Sequence, residues 1–467
     1  MMELSVDPSE GAASLKEGIK RLTGVPADRQ KVMAKGLWKG TLKDEQDLAG
    51  LDWKDGMLIA MMGTSTGLSE PDKPIVFVED MTDQEKQKVA AVLPPGLENL
   101  GNTCYMNATL QCLKAIPELR ASLEASPLNP RANESSEHMT SSLKNLFKQM
   151  DTTTNSVTPT EYVAFMRHTF PQFARPTAQG GFSQQDADEF FNELLTVLST
   201  KLTSPGNAFS FEDKSNAINA LFGIEMSVDL KCIETDAEPI KHSSEIYLRL
   251  QCNITADIAT LEQGIKLGLE ADVEKNSEVL GRNCIWKQTR SIHKLPKYLA
   301  IQFNRFFWKR TPESRDHQGV SCKILKPVKF SFTLDIHDLC DDELKEILSG
   351  PRKAHAKKLM GIGRQEDVEM EEDSDLQAAL RMSNGGGTAG VGIPPTFRGI
   401  YELFGVVTHK GRASDSGHYM GWVKQEGDDW ICFDDENASA CKQDDVGQLS
   451  GGGDYDMAYM VFYRVKE

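Results

Sequence analysis

Apolar residues near the N-terminus recur at helical spacing. In AASLKEGIKRLTGV (12–25), Leu15, Ile19 and Leu22 fall on one face of a helix that Gly24 ends. RQKVMAKG (29–36) and DGMLIAMMG (55–63) predict strands, as does MELSVD ahead of the helix. Residues 1–63 therefore read as a small α/β unit. Residues 64–94 are polar and acidic and read as a linker. It carries a short helix, DQEKQKVAAVL (83–93), which Pro94 and Pro95 stop. One large α+β domain is expected over 95–467. Helical spacing dominates 96–215, and β-type runs such as EIYLRLQC (245–252) and KYLAIQFNRFFW (297–308) occupy 220–340. Further strands are expected at ELFGVVTH, HYMGWVKQ, DDWICFDD and AYMVFYRV within 396–467. Between these β regions lies a polar insertion, 350–395. It opens basic (PRKAHAKK), turns acidic (EDVEMEEDSD) and ends rich in glycine, a composition that predicts a mobile segment. No internal repeat is visible.

Composition narrows the classes. With 467 residues, 39% hydrophobic and 26% charged, the chain is long and apolar enough to build more than one core. A net charge of −17 disfavours a general role on nucleic acid or anionic membrane, both of which repel an acidic surface. The nine cysteines form no CxxC pair, which fits a reducing cytoplasmic or nuclear setting better than a disulfide scaffold. MMELSVDPSEG has no apolar core of the kind a signal peptide needs, and no apolar run is long enough to span a bilayer.

One cysteine stands where chemistry is possible. Cys104 falls where the turn ENLGNT hands over to the helix CYMNATLQCLKAI, with Met106, Leu110 and Leu113 on the core face and Pro117 ending the element. The positive end of a helix dipole favours thiolate. Cys112 lies mid-helix without that field and reads as packing. A nucleophilic thiol needs an oriented base. Of nine histidines, His418 opens an aromatic strand after a Ser/Gly loop, and WICFDDEN (430–437) follows after a hairpin-like turn. Antiparallel pairing lays Asp434 beside His418, the arrangement in which a carboxylate fixes an imidazole tautomer. Asp435 is the alternative partner. His409 reads as structural or loop-positioning.

These stretches resemble a known family. GLENLGNTCYMNATLQ is similar to the cysteine box of the ubiquitin-specific proteases, and GHYMGW with WICFDD to their histidine box. SQQDADEFFNELL (183–195) resembles their acidic box and YLAIQFNRFFWKR (298–310) their central palm strand. The resemblance implies a papain-like fold with a helical thumb and a β palm and fingers. It implies a thiol-dependent isopeptidase that needs no cofactor. The nucleophile is then Cys104, the base His418 and the orienting acid Asp434, with Asn99 donating to the oxyanion. Asn102 is read as a turn residue. In the family the acidic box grips the arginine-containing tail of ubiquitin, which assigns Asp186 and Glu189. Their own pattern also suits a first helical turn, with Ser183 in a near capping box. Tyr419, beside the base, is expected along the channel for the terminal Gly-Gly. Many family members bind zinc through two CxxC pairs. Here Cys232, Cys252 and Cys284 are single and widely spaced, so no structural zinc is expected.

The order helix, GVPADRQKVMAKG, then TLKDEQDLAGLDWKDGMLIAMMG resembles the second half of ubiquitin, with Met33 at the central isoleucine of its binding patch. This implies a β-grasp ubiquitin-like unit over 1–63 whose first strand is missing. The plainer reading is a small α/β appendage. The unit ends Met62-Gly63-Thr64, without Gly-Gly, so cleavage or conjugation is not expected. A ubiquitin-like unit ahead of the protease is the arrangement of the family's proteasome-associated branch. It implies docking on the proteasome regulatory particle, with ubiquitin and ubiquitinated proteins as substrates, in cytoplasm and nucleus. The loop GRASDSG (411–417) is placed to block the channel until docking moves it. In EEDSDLQAALRMS (371–383), Leu376, Ala379, Leu380 and Ser383 share one helical face and resemble a ubiquitin-interacting motif. The alternative there is a helical linker resting on its own domain. A non-catalytic ubiquitin-binding regulator of the proteasome is the rival function.

Overall fold

Apolar residues of the first helix, α1 (Gly11–Thr23), bury a stripe of Ala12, Leu15 and Ile19. The computed structural model describes residues 4, 6–23, 25–27, 30–34, 37–38, 40–54, 56–62, 93–129, 134–177, 180–202, 216–309, 320–359, 389–413, 416–453 and 456–466. The chain divides into two units, Met1–Lys86 and Gln87–Glu467.

In the first unit α1 packs with β1 (Lys31–Ala34) and β2 (Ile59–Met62), which pair antiparallel with Met33 opposite Ala60. Val32, Ala34, Leu42 and Leu48 complete the core, and Met33 is half-buried. One expectation fails here. Leu22 is 41% exposed, because the last turn of α1 extends beyond the core. The buried stripe takes Lys16 instead, whose stem is covered while Nζ reaches Asp44 at 2.5 Å. The expected strand at MELSVD lies partly outside the described residues. Among its described residues, Leu4 and Val6 pack on this core without strand pairing.

The second unit begins helical: α2 (Cys104–Lys114), α3 (Pro117–Ala125), α4 (Ser135–Thr152), α5 (Thr160–Thr169), α6 (Ala187–Lys201) and α7 (Ala217–Phe222). Next come β3 (Ile224–Cys232), β4 (Lys241–Tyr247), β5 (Leu250–Cys252), α8 (Leu261–Gly268), β6 (Glu270–Ser277) and β7 (Arg282–Lys294). After these follow β8 (Tyr298–Phe303), β9 (Phe306–Lys309), β10 (Val320–Lys323), β11 (Thr333–Asp335) and α9 (Asp342–Leu359). The chain closes with β12 (Ile400–Ala413), β13 (Ser416–Lys424), β14 (Asp429–Asp434), β15 (Asn437–Lys442), α10 (Gln443–Gly447) and β16 (Met457–Val465).

Two sheets organise this unit. An eight-stranded sheet runs β15-β14-β13-β12-β16-β8-β5, with β11 also paired to β12. A four-stranded antiparallel sheet runs β4-β3-β7-β6. Helix α2 lies against β13 so closely that a Cβ on Gly421 would stand 2.8 Å from the Ala108 carbonyl oxygen. Cys112 is wholly buried on that helix, with Sγ facing the carbonyls of Val406 and Trp422.

Two apolar runs that read as single strands are broken. EIYLRLQC splits into β4 and β5, which belong to different sheets. At the break, Arg249 turns to grip the buried Asp188 of α6, with Nη2 2.7 Å from Oδ2. KYLAIQFNRFFW splits into β8 and β9 at Arg305, which is fully buried. Its guanidinium donates to the carbonyls of Ala458 (2.8 Å), Ile324 (3.1 Å), Lys326 (3.0 Å) and Ser450 (3.3 Å). Five fixed donors suit that task better than a ladder position does. The polar insertion is also shorter than composition suggests. Helix α9 continues through PRKAHAKK to Leu359, pinned where Arg352 forks onto Asp335 at 2.9 and 2.6 Å. The 371–383 motif, with Leu376, Ala379, Leu380 and Ser383, lies outside the described residues.

Candidate active site

The turn before α2 is built by its own polar side chains. Thr103 Oγ1 accepts from the Leu100 N–H at 2.9 Å, and Asn99 Oδ1 accepts from the Thr103 N–H at 3.2 Å. Gly101 (φ 84°) and Asn102 (φ 55°) occupy the left-handed region, which glycine and asparagine tolerate best. Asn102 donates to the Phe182 carbonyl at 2.8 Å, so it serves the turn as expected. Cys104 emerges as the first residue of α2 and is 2% exposed.

The hairpin β13–β14 carries His418 and Asp434. Gly421 pairs with Phe433 and Lys424 with Trp430, so the strands converge on His418 and Asp434 at their far end. His418 Nε2 lies 2.6 Å from Asp434 Oδ1. The imidazole pKa is raised to about 9, first by its hydrogen bond with Cys104, then by Asp434, against a burial that works the other way. The histidine thus stands between the sulfur and the carboxylate and holds its proton through neutral pH.

Asp435 does a separate job. It is buried, at φ 49°, with Oδ2 accepting from Asn99 Nδ2 and Oδ1 from Asn107 Nδ2, both at 2.8 Å. Burial raises its pKa, against those two amides. The Asp435 backbone carbonyl also receives the Leu97 N–H at 2.9 Å. A Cβ on Gly96 would meet the Asp435 carbonyl at 2.4 Å, so this close crossing requires glycine. The second aspartate of FDD therefore ties the strand carrying the base to the turn carrying the thiol. Sequence reasoning missed Asn107. Its signal was an amide, one of two with Gln111, within the buried helix CYMNATLQC.

The acidic box departs from expectation. The N-cap of α6 is Asp186, not Ser183. Its Oδ1 accepts from the N–H groups of Asp188 (2.8 Å) and Glu189 (3.2 Å), and its Oδ2 accepts from Tyr459 Oη at 2.6 Å. Burial lifts the Asp186 pKa to about 6, opposed by the Tyr459 bond. Glu189 remains exposed. Ser183 instead donates to the Arg175 carbonyl at 3.3 Å and accepts from Gln185 Nε2 at 2.7 Å. Tyr419 does not line an open channel. It is wholly buried, its ring 4.6 Å from that of His409 and 5.9 Å from that of Tyr459. The strand's alternation turns His418 outward and Tyr419 inward.

His409 is buried beneath this hairpin, with Nδ1 2.9 Å from Lys323 Nζ and its ring edge-on to Phe306. Burial and the Lys323 charge push its pKa down to about 3, so it is a neutral packing group. It also shapes the neck of 411–417. A Cβ on Gly417 (φ 123°) would fall 2.1 Å from the Lys410 carbonyl and 2.8 Å from His409 Nε2. Much of that segment extends the β12–β13 hairpin, with Ala413 opposite Ser416, instead of forming an open loop.

Comparison with known proteins decides what this geometry belongs to. The sequence profile of the family described as ubiquitin carboxyl-terminal hydrolase matches residues 95–463. The chain belongs to the ubiquitin carboxyl-terminal hydrolase family. It is similar to ubiquitin carboxyl-terminal hydrolase 6 of Arabidopsis thaliana, 38% identical over 99% of this chain and 96% of that protein. Ubiquitin carboxyl-terminal hydrolase 14 of Caenorhabditis elegans is 32% identical over 99% of this chain and 91% of its own length. Ubiquitin carboxyl-terminal hydrolase 6 of Schizosaccharomyces pombe is 32% identical over 100% and 97%. A hydrolase of this family is a cysteine-type deubiquitinase, and the helical layer, the eight-stranded sheet and the four-stranded sheet are its α+β catalytic unit.

Proposed function

We propose that this deubiquitinase hydrolyses the isopeptide bond after the C-terminal glycine of ubiquitin, with Cys104 as nucleophile, His418 as base and then acid, and Asp434 as orienting carboxylate. The observation that carries this reading is the 2.6 Å contact of His418 with Asp434 on the strand pair that also aims the imidazole at Cys104. The thiolate attacks the carbonyl carbon, and His418 protonates the departing lysine amine to leave a thioester. His418 then takes a proton from water, which hydrolyses the thioester. The oxyanion receives two donors. The backbone N–H of Cys104 has no acceptor within the first turn of α2. Asn99 spends one amide hydrogen on Asp435 and has a second to give. A carboxylate at Glu189, exposed, and Asp186, capped, are read as the receptors for arginine on the ubiquitin tail.

The same reading makes the first unit a ubiquitin-like β-grasp domain that docks on the proteasome regulatory particle, so that conjugates are trimmed in cytoplasm and nucleus. Support comes from α1 packed on the β1–β2 pair, and from Met33 at the position resembling ubiquitin's apolar patch. In the same reading the segment 411–417 closes the channel until docking moves it. The 371–383 motif would tether a second ubiquitin and raise its local concentration. The test is hydrolysis of a ubiquitin reporter by the full chain and by Cys104→Ala, each with and without proteasomes. Turnover that requires Cys104 and rises with proteasomes is expected. Equal turnover in both conditions would remove the docking-gate reading.

A further inference from the structure

The four-stranded sheet holds a pair of thiols that the hydrolytic reaction does not use. Cys232 ends β3 and Cys284 lies in β7, and their sulfurs stand 3.3 Å apart although 52 residues separate them in sequence. Both are buried, at 1% and 2% exposure. They form a small core of their own with Leu230 and Trp286, Val273 packing against it, apart from the two main cores of the unit. Register explains the meeting. Cys232 pairs with Trp286, and the Ile233 N–H continues the ladder to the Ile285 carbonyl at 3.1 Å, which sets Cys284 diagonally across from Cys232 on the same face. Cys252, the third cysteine of this region, lies in β5 of the other sheet.

We propose that Cys232 and Cys284 form a reversible disulfide under peroxide, making this sheet a redox-modified element of the enzyme. A disulfide brings sulfurs to about 2.05 Å, so side-chain rotation of little more than an ångström closes the gap. One thiolate attacks the peroxide O–O bond, giving a sulfenic acid and releasing hydroxide that takes up the thiol proton as water. The facing thiol then displaces the sulfenic oxygen, which leaves as a second water. Two electrons pass from the sulfurs to one peroxide. Burial and the facing Cys232 push the Cys284 thiol up, so the pair reacts more slowly than an exposed thiol does. Once formed, the bond ties β3 to β7 where their ladder ends, closing a ring that contains β4, β5, α8 and β6. Sustained oxidative load, not a brief pulse, is the condition that sets it.

The experiment uses the full chain with Cys104→Ser, which keeps the active-site thiol out of the chemistry. The protein is treated with hydrogen peroxide, alkylated without reductant and mapped by peptide mass. The expected product is one crosslinked peptide pair joining Cys232 to Cys284, lighter by two hydrogens and restored by dithiothreitol. Its melting temperature should rise above that of the reduced protein. Neither change should appear in the same chain carrying Cys284→Ser. Recovery of Cys232 and Cys284 as free thiols, after treatment that oxidises the more accessible Cys322 and Cys441, would overturn the proposal. So would linkage of either to another cysteine.

Discussion

In the proposed mechanism His418 is base and then acid, and its protonation gives the sharpest pH test. Its pKa is raised to about 9, so the imidazolium that protonates the leaving amine is retained below that pH and lost above it. The account expects kcat/KM to fall on the alkaline side as pH passes 9. With Asp434→Asn the raised pKa loses one of its supports, so the alkaline limb should move to lower pH. Activity should drop by roughly 100-fold or more, as loss of an oriented base typically costs. The same sign applies to stability. A raised histidine pKa stabilises the folded state below the ordinary value near 6.5 and ceases to do so as pH rises through 9. Asn99→Ala should lower kcat by about 10²–10³-fold with little change in KM, the behaviour of a lost oxyanion donor. A pH–rate profile of each variant checks both expectations. The meeting of Cys104, His418 and Asp434 was legible in sequence because cysteine, histidine and aspartate occur there in types and spacings that few other roles require. Asn107 was not, because a buried amide in a helix shows its partner only when Asp435 folds onto it.

At the scale of elements, what joins the helix of Cys104 to the strands of His418 and Asp434 is the Asp435 clasp. Asp435→Ala removes the shortest acceptor of the buried Asn107 amide, which keeps only the Leu97 carbonyl at 3.1 Å and the Glu98 carbonyl at 3.4 Å, and frees Asn99 as well, a loss of about 1 kcal/mol. Reduced stability in urea and lower kcat are both expected, whereas Asp435→Asn keeps one acceptor and should lose less of each. Asp186→Ala removes the N-cap of α6 and should destabilise by about 1 kcal/mol, read by the same denaturation. Helices α2 and α6 followed from periodicity, and the β13–β14 hairpin from aromatic runs separated by a turn. Three features were hidden. Local pattern cannot tell that Arg305 and Arg249 abandon their strands to collect distant carbonyls or a carboxylate. Nor does it tell that Asp186 outcompetes Ser183 as cap, since Tyr459, which steadies Asp186, lies 273 residues away. The inward turn of Tyr419 was available from strand alternation alone, once His418 was read as facing out.

Across the whole molecule, the account divides labour between a hydrolase unit and a small α/β unit ahead of it. Met33→Arg changes a half-buried side chain on β1, in the first unit. It should leave basal reporter turnover unchanged and reduce the stimulation by proteasomes several-fold, measured with reporter and proteasome titrated together. The family of the larger unit was readable because four separate boxes occur in order. The small unit was less so, because one helix and two short strands carry little pattern, and its exposed Leu22 defied the expected stripe. The central claim is that Cys104 is the thiol presented to the ubiquitin C-terminus. It is tested most directly by reacting the full chain, with proteasomes present, with ubiquitin bearing a C-terminal electrophile and mapping the adduct by mass. One ubiquitin on Cys104, lost in Cys104→Ala and strongly slowed in His418→Ala, is the predicted result. A folded chain that stays unlabelled, or carries the adduct on another cysteine, would contradict it.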